Sequence, residues 1–365
     1  MTGDYKEYKG YALITGGAGF IGSNFLDYAV DKYPDFHFTC IDKLSYVSNY
    51  TTVFLSKVLN QPNFRFLEMD LATNYKFLYQ FMVEDSEINK ITHIINFAAE
   101  SSVDRSFIDP LYFTKNNILS TQNLLECVRI LLGKKEELRN RLNFVHVSTD
   151  EVYGEQDENA SVDEKSKLNP TSPYAASKAA VDLIIQSYRY SYKISVTVIR
   201  ANNVYGPRQY EEKLIPMTLG KLKKFINQKS QKIMQDKITL HGDGLHKRKY
   251  LHIYDFINAI DLVWMKQGSE VYHSTLESKM SGQIFNIGSD DEIDNLSLVK
   301  FICDYFLYRK LSLKNLDYSK YITFVQDRNY NDSRYSLNYE KIKSLGWRPQ
   351  IPLETGLRKL IDEYY

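Results

Sequence analysis

A tyrosine and a lysine stand four residues apart, at Tyr174 and Lys178. Residues at this spacing share one face of a helix, so their side chains can meet. A cation beside a phenol stabilises the phenolate and lowers the phenol pKa from about 10, which makes the tyrosine a usable general base. In a chain with 29 tyrosines such a pair also arises by chance. Its position, at the start of a predicted helix that follows a predicted buried strand, gives it weight.

Two adjacent acids, Asp150 and Glu151, follow Thr149 at the end of that strand. The carboxyl ends of strands face the ligand in parallel sheets. Crowding pushes the pKa values of two carboxylates apart, so one can donate a proton while the other accepts one. Such a pair suits the removal of water, which needs a base for a carbon-bound proton and an acid for the departing hydroxyl. The residues alone also allow a solvated turn in which Asp150 caps the next segment.

A glycine-rich turn follows the first predicted strand and opens the first predicted helix, with Gly16, Gly19 and Gly22 three residues apart. Glycine permits a tight turn and a close backbone approach, and the helix N-terminus offers N–H groups to a pyrophosphate. Asp42 lies 20 residues after Gly22, at the end of the second strand. An acid there accepts a hydrogen bond from a ribose 2′-OH and favours NAD over NADP. The adjacent Lys43 weakens that preference slightly.

Short apolar runs alternate with helical patterns over the first 200 residues. The predicted strands are 11–15, 36–41, 64–69, 91–97, 142–147 and 194–200, and the predicted helices include 20–32, 112–132 and 173–190. This alternation predicts an α/β fold, a Rossmann-type doubly wound parallel sheet covered by helices on both faces. Asp70 and Leu71, after the third strand, are predicted to reach the adenine of the cofactor.

The pattern loosens after about residue 205 and predicts a smaller C-terminal α/β substrate domain. Its predicted features are a solvated helix or loop at 221–237, strands at 238–240 and 250–253, a surface insertion at 268–282, and helices at 296–307 and from about 353. We predict a NAD-binding domain over 1–205 plus about 238–265. The second, substrate-binding domain would take about 206–237 and 266–365.

Composition excludes several classes of protein. The chain has 46 Lys and Arg against 45 Asp and Glu, which argues against a nucleic-acid or membrane-surface partner. Its 43% hydrophobic and 25% charged residues are typical of globular proteins. Three widely separated cysteines predict neither a metal site nor a disulfide framework, and favour a reducing compartment. The N-terminus shows no signal peptide and no run is long enough to span a membrane, so we expect a cytoplasmic protein.

The chain resembles the extended short-chain dehydrogenase/reductase family. The turn from Thr15 to Gly22, the segment Asn96 to Ala99 and the pair Tyr174 and Lys178 carry the resemblance, which covers nearly the whole chain. Within the family, Thr149-Asp150-Glu151 is similar to the Thr-Asp-Glu motif of nucleoside-diphosphate-glucose 4,6-dehydratases. The resemblance implies bound NAD, a nucleotide-sugar substrate (UDP-glucose or dTDP-glucose), a hydro-lyase activity, and a homodimer paired through helices like 112–132 and 174–190.

The resemblance also implies roles for individual residues. The catalytic set is Thr149, Asp150, Glu151, Tyr174 and Lys178. The cofactor set is Gly16, Gly19, Phe20, Ile21, Gly22, Asp42, Lys43, Asp70, Leu71, Ala98, Ala99, Tyr174 and Lys178. The substrate set is Ser101, Asn203, Lys213, Leu214, Arg248, Arg328 and Asn331. Ser102 stands where the dehydratases usually have His, so no role is transferred to it.

The sequence leaves two alternatives to a dehydratase open. A UDP-sugar 4-epimerase of the same fold would use Tyr174 and Lys178 but has no need of Asp150 and Glu151. A catalytically inactive nucleotide-binding protein would have no need of any of the four. The nucleotide also stays open: Asn331, where bacterial enzymes usually carry His, resembles eukaryotic members, some of which use UDP-glucose.

Overall fold

The computed structural model describes residues 8–48, 57–84, 90–139, 141–158, 160–227, 234–267 and 282–365. The predicted insertion at 268–282 lies, except for its last residue, outside the described residues, and so does part of the predicted segment at 221–237. No helix in the described part of the chain is long and apolar enough to cross a membrane.

The chain divides into two compact units. The first unit takes Met1–Thr149, Pro173–Arg200 and Ile257–Phe285, and the second takes Asp150–Ser172, Ala201–Phe256 and Asn286–Tyr365. This division differs from the predicted domains, because residues 150–172 and 238–256 fall in the second unit. Val162 forms an isolated β-bridge with Leu337, and Lys249 pairs with Glu292 between two antiparallel strands, so both segments are bonded to other parts of that unit.

The first six strands of the structure correspond to the six strands predicted over the first 200 residues. In chain order they are β1 Gly10–Thr15, β2 Phe36–Asp42, β3 Phe64–Glu68, β4 His93–Asn96, β5 Asn143–Thr149, β6 Val196–Ala201, β7 Asn203–Tyr205, β8 Ile238–His241, β9 Lys247–His252, β10 Ile284–Ile287, β11 Glu292–Asp294 and β12 Ile322–Val325. A seven-stranded sheet has the order β10-β6-β5-β4-β1-β2-β3, and its pairs β1–β2, β1–β4, β2–β3 and β4–β5 are parallel. The predicted Rossmann-type α/β fold is confirmed.

The helices connect these strands. In chain order they are α1 Phe20–Lys32, α2 Tyr75–Tyr79, α3 Val103–Ile108, α4 Pro110–Phe113, α5 Ser120–Lys134, α6 Pro173–Tyr192, α7 Leu214–Asn227, α8 Ile253–Gln267, α9 Asn295–Leu311, α10 Glu340–Lys343 and α11 Leu353–Tyr364. The long helix predicted over 112–132 is interrupted by a π-helical turn at Thr114–Leu119. Asn116 and Ser120 bond their side chains to backbone carbonyls one turn earlier there, which competes with the regular helix ladder.

Helices cover both faces of the large sheet, as predicted. On one face, α5 and α6 contribute Leu124, Val128, Val181 and Ile185 to a fully buried cluster. On the other face, the buried Trp264 packs edge-on among aromatic side chains. Those side chains are Phe25, Tyr33, Phe36, Phe38 and His93. Because neighbouring strands among β1, β2, β4 and β5 pair in parallel, their carboxyl ends lie at one edge of the sheet.

The second unit has a three-stranded sheet, β11-β9-β7, and a parallel pair, β12-β8. Helices α7, α9 and α11 pack over a separate apolar core that includes Leu219, Ile302 and Leu357. The segment that begins at residue 221 was predicted to be a solvated helix or loop. Up to Asn227 it is instead the end of the amphipathic helix α7, which buries Leu222 and Phe225.

Candidate active site

The glycine-rich turn joins β1 to α1. Gly16 has φ +70°, and a Cβ there would lie 2.5 Å from the Ala98 nitrogen. A Cβ on Gly22 would lie 2.5 Å from the Gly16 carbonyl oxygen. Both positions therefore require glycine. Helix α1 begins at Phe20, and Ile21 lies in its first turn. The preceding residue, Gly19, has no side chain that could cap the first backbone N–H groups. The turn has the shape of a pyrophosphate cradle.

Asp42 ends β2 beside this turn. Its carboxylate accepts hydrogen bonds from the Ala18 N–H at 2.9 Å, the Leu44 N–H at 2.8 Å and the Ser48 hydroxyl at 3.3 Å. Burial raises the pKa of Asp42, and these donors oppose the rise. The acid thus fixes the glycine turn against β2, at the position where a ribose would bind.

Lys43 is turned toward the segment after β4. Its Nζ lies 2.7 Å from both Glu100 Oε1 and Asn116 Oδ1, and 3.3 Å from the Tyr112 hydroxyl. Burial lowers the pKa of Lys43, but the hydrogen bond and the charge of Glu100 outweigh this, so the net shift is upward. The charge of Lys43 is therefore matched by a buried carboxylate.

Three further predicted cofactor and substrate residues lie where strands end. Asp70, just after β3, accepts a hydrogen bond from the Ala72 N–H at 2.8 Å. Leu71 is buried, and Ala98 follows β4 with its N–H on Asn96 Oδ1 at 3.1 Å. Two more residues of this segment, Ala99 and Ser101, are exposed.

Ser102, the position without a transferred role, caps helix α3. Its hydroxyl accepts a hydrogen bond from the Arg105 N–H at 3.5 Å. Serine is among the preferred residues at a helix N-cap. The side chain is therefore accounted for by the start of the helix.

Tyr174 and Lys178 lie on the first turns of α6, and both are buried. The Tyr174 ring packs edge-on against Phe113. Lys178 Nζ donates to the Val147 carbonyl at 2.8 Å and lies 3.5 Å from His146 Nε2. Burial lowers the pKa of Lys178 to about 8, although the charge of Asp182 opposes this. Thr149, also buried, ends the neighbouring strand β5.

The acid pair occupies a 3₁₀ turn, Asp150–Tyr153, in the second unit. Asp150 is 3% exposed, and its Oδ2 accepts a hydrogen bond from Asn202 Nδ2 at 2.8 Å. Burial and the charge of Asp150 raise the pKa of Glu151 to about 7, while nearby cations oppose the rise. The two crowded carboxyl groups are therefore adjacent, and the pKa of Glu151 is raised in the direction that crowding predicts. Asp150 is buried and hydrogen-bonded to Asn202 rather than part of a solvated turn.

Two cations and a C-terminal segment surround Glu151 within the second unit. The charges of Lys213 and Arg248 lower the Glu151 pKa, and the charge of Asp332 raises it. Arg248 lies 4.8 Å from the centre of the Tyr335 ring, and its Nη2 is 3.3 Å from Asn331 Oδ1. The structure thus brings four predicted residues of this unit together, namely Glu151, Lys213, Arg248 and Asn331.

Other predicted substrate residues have more peripheral positions in this unit. Leu214 opens α7 and Asn203 opens β7. Arg328 lies in the loop after β12, where its backbone N–H donates to Asp327 Oδ1.

The sequence interpretation missed Asn202, which holds Asp150, and gave no role to Asp332 and Tyr335. The only signal for Asn202 was its position directly after a buried strand. Asp332 accepts hydrogen bonds from Thr171 at 2.6 Å and from Tyr335. These contacts join distant parts of the sequence, so spacing does not reveal them.

The parallel sheet, its glycine turn and the Tyr–Lys helix define a short-chain dehydrogenase/reductase fold. Comparison with known proteins specifies this class further. The profile of the GDP-mannose 4,6 dehydratase family matches residues 13–360, and the chain belongs to this family.

Several relatives match over nearly the whole chain. A dTDP-D-glucose 4,6-dehydratase of Dictyostelium discoideum is 37% identical over 96% of this chain and 81% of its own. A trifunctional enzyme of Arabidopsis thaliana, a UDP-glucose 4,6-dehydratase, 3,5-epimerase and reductase, is 38% identical over 96% of this chain and 46% of its own. The crystal structure of the dTDP-glucose 4,6-dehydratase DesIV of Streptomyces venezuelae, with NAD and TYD bound, is 34% identical with a TM-score of 0.80, over 97% of this chain and 96% of that one.

These matches confirm the predicted dehydratase family and hydro-lyase class. The epimerase alternative is less supported: a UDP-glucose 4-epimerase of Thermotoga maritima matches with a TM-score of 0.75 at 24% identity, which shows the fold alone.

Proposed function

We propose that this chain converts a nucleoside-diphosphate glucose into its 4-keto-6-deoxy sugar with bound NAD. The observation that carries the proposal is the acid pair, in which burial and Asp150 raise the Glu151 pKa to about 7. A carboxylate with that pKa is suited to act as a general base near neutral pH. NAD binding is supported by the glycine turn, which packs so tightly that a Cβ at Gly16 or Gly22 would clash with backbone atoms, as in turns that bind a dinucleotide pyrophosphate. The solved relative named above contains NAD.

The first proposed step is the oxidation of the sugar at C4. Tyr174 takes the proton of the 4-hydroxyl, Thr149 hydrogen-bonds the same oxygen, and Lys178 stabilises the tyrosinate. NAD, when bound, accepts the hydride from C4 and returns it to C6. The new ketone acidifies the proton at C5, because the resulting negative charge is delocalised onto the carbonyl oxygen.

The second proposed step is the loss of water. Glu151 removes the C5 proton, and Asp150 protonates the C6 hydroxyl, which leaves as water. A proton returns to C5 as C6 is reduced. Lys213, Arg248, Arg328 and Asn331 are proposed to bind the substrate, since guanidinium groups bind phosphates in bidentate fashion. Ser101, Asn203 and Leu214 complete the proposed substrate set.

Analysis of the reaction product tests this proposal. The purified chain is incubated with UDP-glucose and, separately, with dTDP-glucose, and the product mass is followed. We expect the loss of one water from at least one substrate, and the faster one identifies the nucleotide. A product of unchanged mass that chromatographs as the galactose isomer would contradict the proposal and favour the epimerase. Asp150→Asn is the control, because it should prevent water loss.

We also propose a homodimer formed by the face that carries α3 to α6. Three apolar side chains on this face are exposed, Ile108 by 84%, Leu111 by 79% and Leu183 by 55%. Light scattering should give twice the 42.6 kDa chain mass. Leu183→Glu should shift the protein to monomer, whereas Leu311→Glu on α9 should not. A wild-type monomer would contradict the proposal.

A cytoplasmic location is likewise proposed. It is supported by the three cysteines, which are buried and unpaired, as expected in a reducing compartment. Fractionation of cells that express the tagged chain tests it, and recovery with secreted or organellar markers would contradict it.

A further inference from the structure

His146 is a buried histidine beside Lys178, and it has no role in the reaction proposed above. It lies on β5, three residues before Thr149, and is 1% exposed. Its Nδ1 is 3.0 Å from Asn96 Nδ2, and its Nε2 is 3.5 Å from Lys178 Nζ. The imidazole therefore stands between an amide and the lysine of the Tyr–Lys pair.

The orientation of the Asn96 amide is fixed by its neighbours. Asn96 Oδ1 accepts hydrogen bonds from the Ala98 N–H at 3.1 Å and the Thr15 hydroxyl at 2.7 Å. A backbone N–H can only donate, so the oxygen must face Ala98. The amide nitrogen then donates to Thr121 Oγ1, at 3.2 Å, and to His146 Nδ1.

This arrangement fixes the tautomer of His146. Because Asn96 donates to Nδ1, that nitrogen is an acceptor and carries no proton, so a neutral ring carries its proton on Nε2. Burial and the charge of Lys178 lower the pKa of His146 well below its usual value, so the ring is neutral. The Nε2–H thus points at Lys178.

An N–H that faces Lys178 distinguishes between the two states of the lysine. An ammonium has three donors and no acceptor, so it gains no hydrogen bond from this N–H. A neutral amine has a lone pair that can accept it. Tyr174 lies one turn before Lys178 on α6, and Asp182 lies one turn after it. The charge of Asp182 raises the Lys178 pKa, and Asp182 is ion-paired with Arg200 of β6 at 2.8 Å. Its charge is therefore largely balanced, and the neutral state of Lys178 is accessible.

The proposed reaction requires a group that sheds a proton. Tyr174 receives the 4-hydroxyl proton in each turnover, and the product keeps a ketone at C4, so that proton never returns to the sugar. Asp150 meanwhile gives a proton to the departing hydroxyl. For balance, the Tyr174–Lys178 pair must release one proton to solvent, and Asp150 must take one up.

We propose that His146 is a positioning residue that presents its Nε2–H to Lys178 and thereby favours release of the proton that the Tyr174–Lys178 pair gains in each turnover. The N–H bond of the Lys178 ammonium breaks, the proton passes to solvent, and the amine lone pair accepts the His146 hydrogen bond. The O–H bond of the Tyr174 phenol then breaks and its proton passes to the amine, which restores the tyrosinate and the ammonium for the next turnover. This inference rests on the proposed function for the role of Tyr174.

The tautomer is tested on the wild-type holoenzyme labelled with ¹⁵N-histidine. Couplings between ring nitrogens and carbon-bound protons show which nitrogen is protonated. We expect His146 to be neutral with its proton on Nε2 over the whole stable pH range. A proton on Nδ1, or a ring that titrates near neutral pH, would overturn the proposal. The signal is assigned by its absence in His146→Phe or, if that variant does not fold, by its shift in Lys178→Met.

The functional consequence is tested in a Glu151→Gln background, where the reaction should stop after C4 oxidation. The absorbance of the reduced nicotinamide is followed against pH. Adding His146→Phe should move the acid limb of this profile upward by about one unit and lower the oxidation rate near neutral pH about tenfold, with recovery at high pH. An unmoved acid limb would contradict the proposal.

His93→Phe provides the matched control. His93 is a half-buried histidine on the neighbouring strand β4, and it packs against Phe36 and Trp264 rather than against Lys178. It should lower stability without moving the acid limb. If the Glu151→Gln background accumulates no oxidised state, the proposed function fails, whereas the tautomer measurement still decides the placement of the His146 proton.

Discussion

The two groups of proposed catalytic residues have their proton affinities set in different ways. In the first unit, Lys178 is surrounded by a carbonyl oxygen, a neutral imidazole and a balanced ion pair, and burial lowers its pKa to about 8. In the second unit, Glu151 is surrounded by charges of both signs, which act on top of burial. The proton affinity of the first group therefore depends on burial and on the tautomer of His146. The proton affinity of the second group depends on the balance of the surrounding charges.

The difference matches the chemistry proposed for each group. Oxidation at C4 needs a base that is reset in every turnover, which a lysine with a lowered pKa allows. Removal of water needs two carboxyl groups in opposite protonation states, which crowding enforces. We therefore expect substitutions in the two units to affect different steps.

The largest effect is expected for Tyr174→Phe. Without the phenol no base takes the 4-hydroxyl proton, so both oxidation and water loss should fall about a thousandfold. Steady-state turnover and nicotinamide absorbance measure the two steps. Tyr190→Phe, on the exposed side of the same helix, is the control and should keep full activity. Water loss at an unchanged rate in Tyr174→Phe would contradict the assignment.

Glu151→Gln should lower the rate of water loss about a hundredfold or more, because the C5 proton then lacks its base. Product mass against time measures this. Glu155→Gln makes the same change four residues further on, where the carboxylate bonds the Ser333 N–H and the Tyr330 hydroxyl. That control should retain most of the activity. Equal losses in the two variants would indicate a general electrostatic effect and contradict the specific role.

The pH dependence of water loss and of C4 oxidation distinguishes the two groups. Because Glu151 acts as a base, water loss should rise as the pH passes through its pKa of about 7. Lys213→Met removes a charge that lowers this pKa, so the acid limb of water loss should move upward by about half a unit. The profile of C4 oxidation, measured with Glu151→Gln, should stay where it is when Lys213→Met is added. Movement of both profiles would show that the two groups are not independent.

A small effect is expected for Asn202→Ala. The variant removes the hydrogen bond to Asp150, worth about 1 kcal/mol, so water loss should slow by about fivefold while C4 oxidation is unchanged. Single-turnover rates of the two steps measure this. Asn338→Ala, in the same unit, is the control. A slower oxidation step in Asn202→Ala would contradict the separation of roles.

Much of the first unit was predictable from the sequence because its signals are local. The apolar runs that became β1 to β6, the glycines at 16 and 22, and the spacing of Tyr174 and Lys178 each act over a few residues. The long helix over 112–132 was wrong in detail, since side-chain bonds of Asn116 and Ser120 produce a π-helical turn.

The surroundings of the acid pair were less predictable because they come from distant segments. Asn202, Asp332 and Tyr335 follow Glu151 by tens to almost two hundred residues, and only folding brings them to its unit. His146 was also missed, because a histidine in a buried strand gives no sign of its tautomer until Asn96 and Ala98 are in place.

The most direct test of this account is a rapid-mixing experiment on Glu151→Gln holoenzyme with the faster glucose nucleotide. We expect reduced nicotinamide to accumulate to nearly one equivalent while the sugar nucleotide loses no water. This result would show that the Tyr174 group oxidises C4 without Glu151. Water loss at the wild-type rate, or no reduction of the cofactor, would contradict the division of the reaction between the two groups.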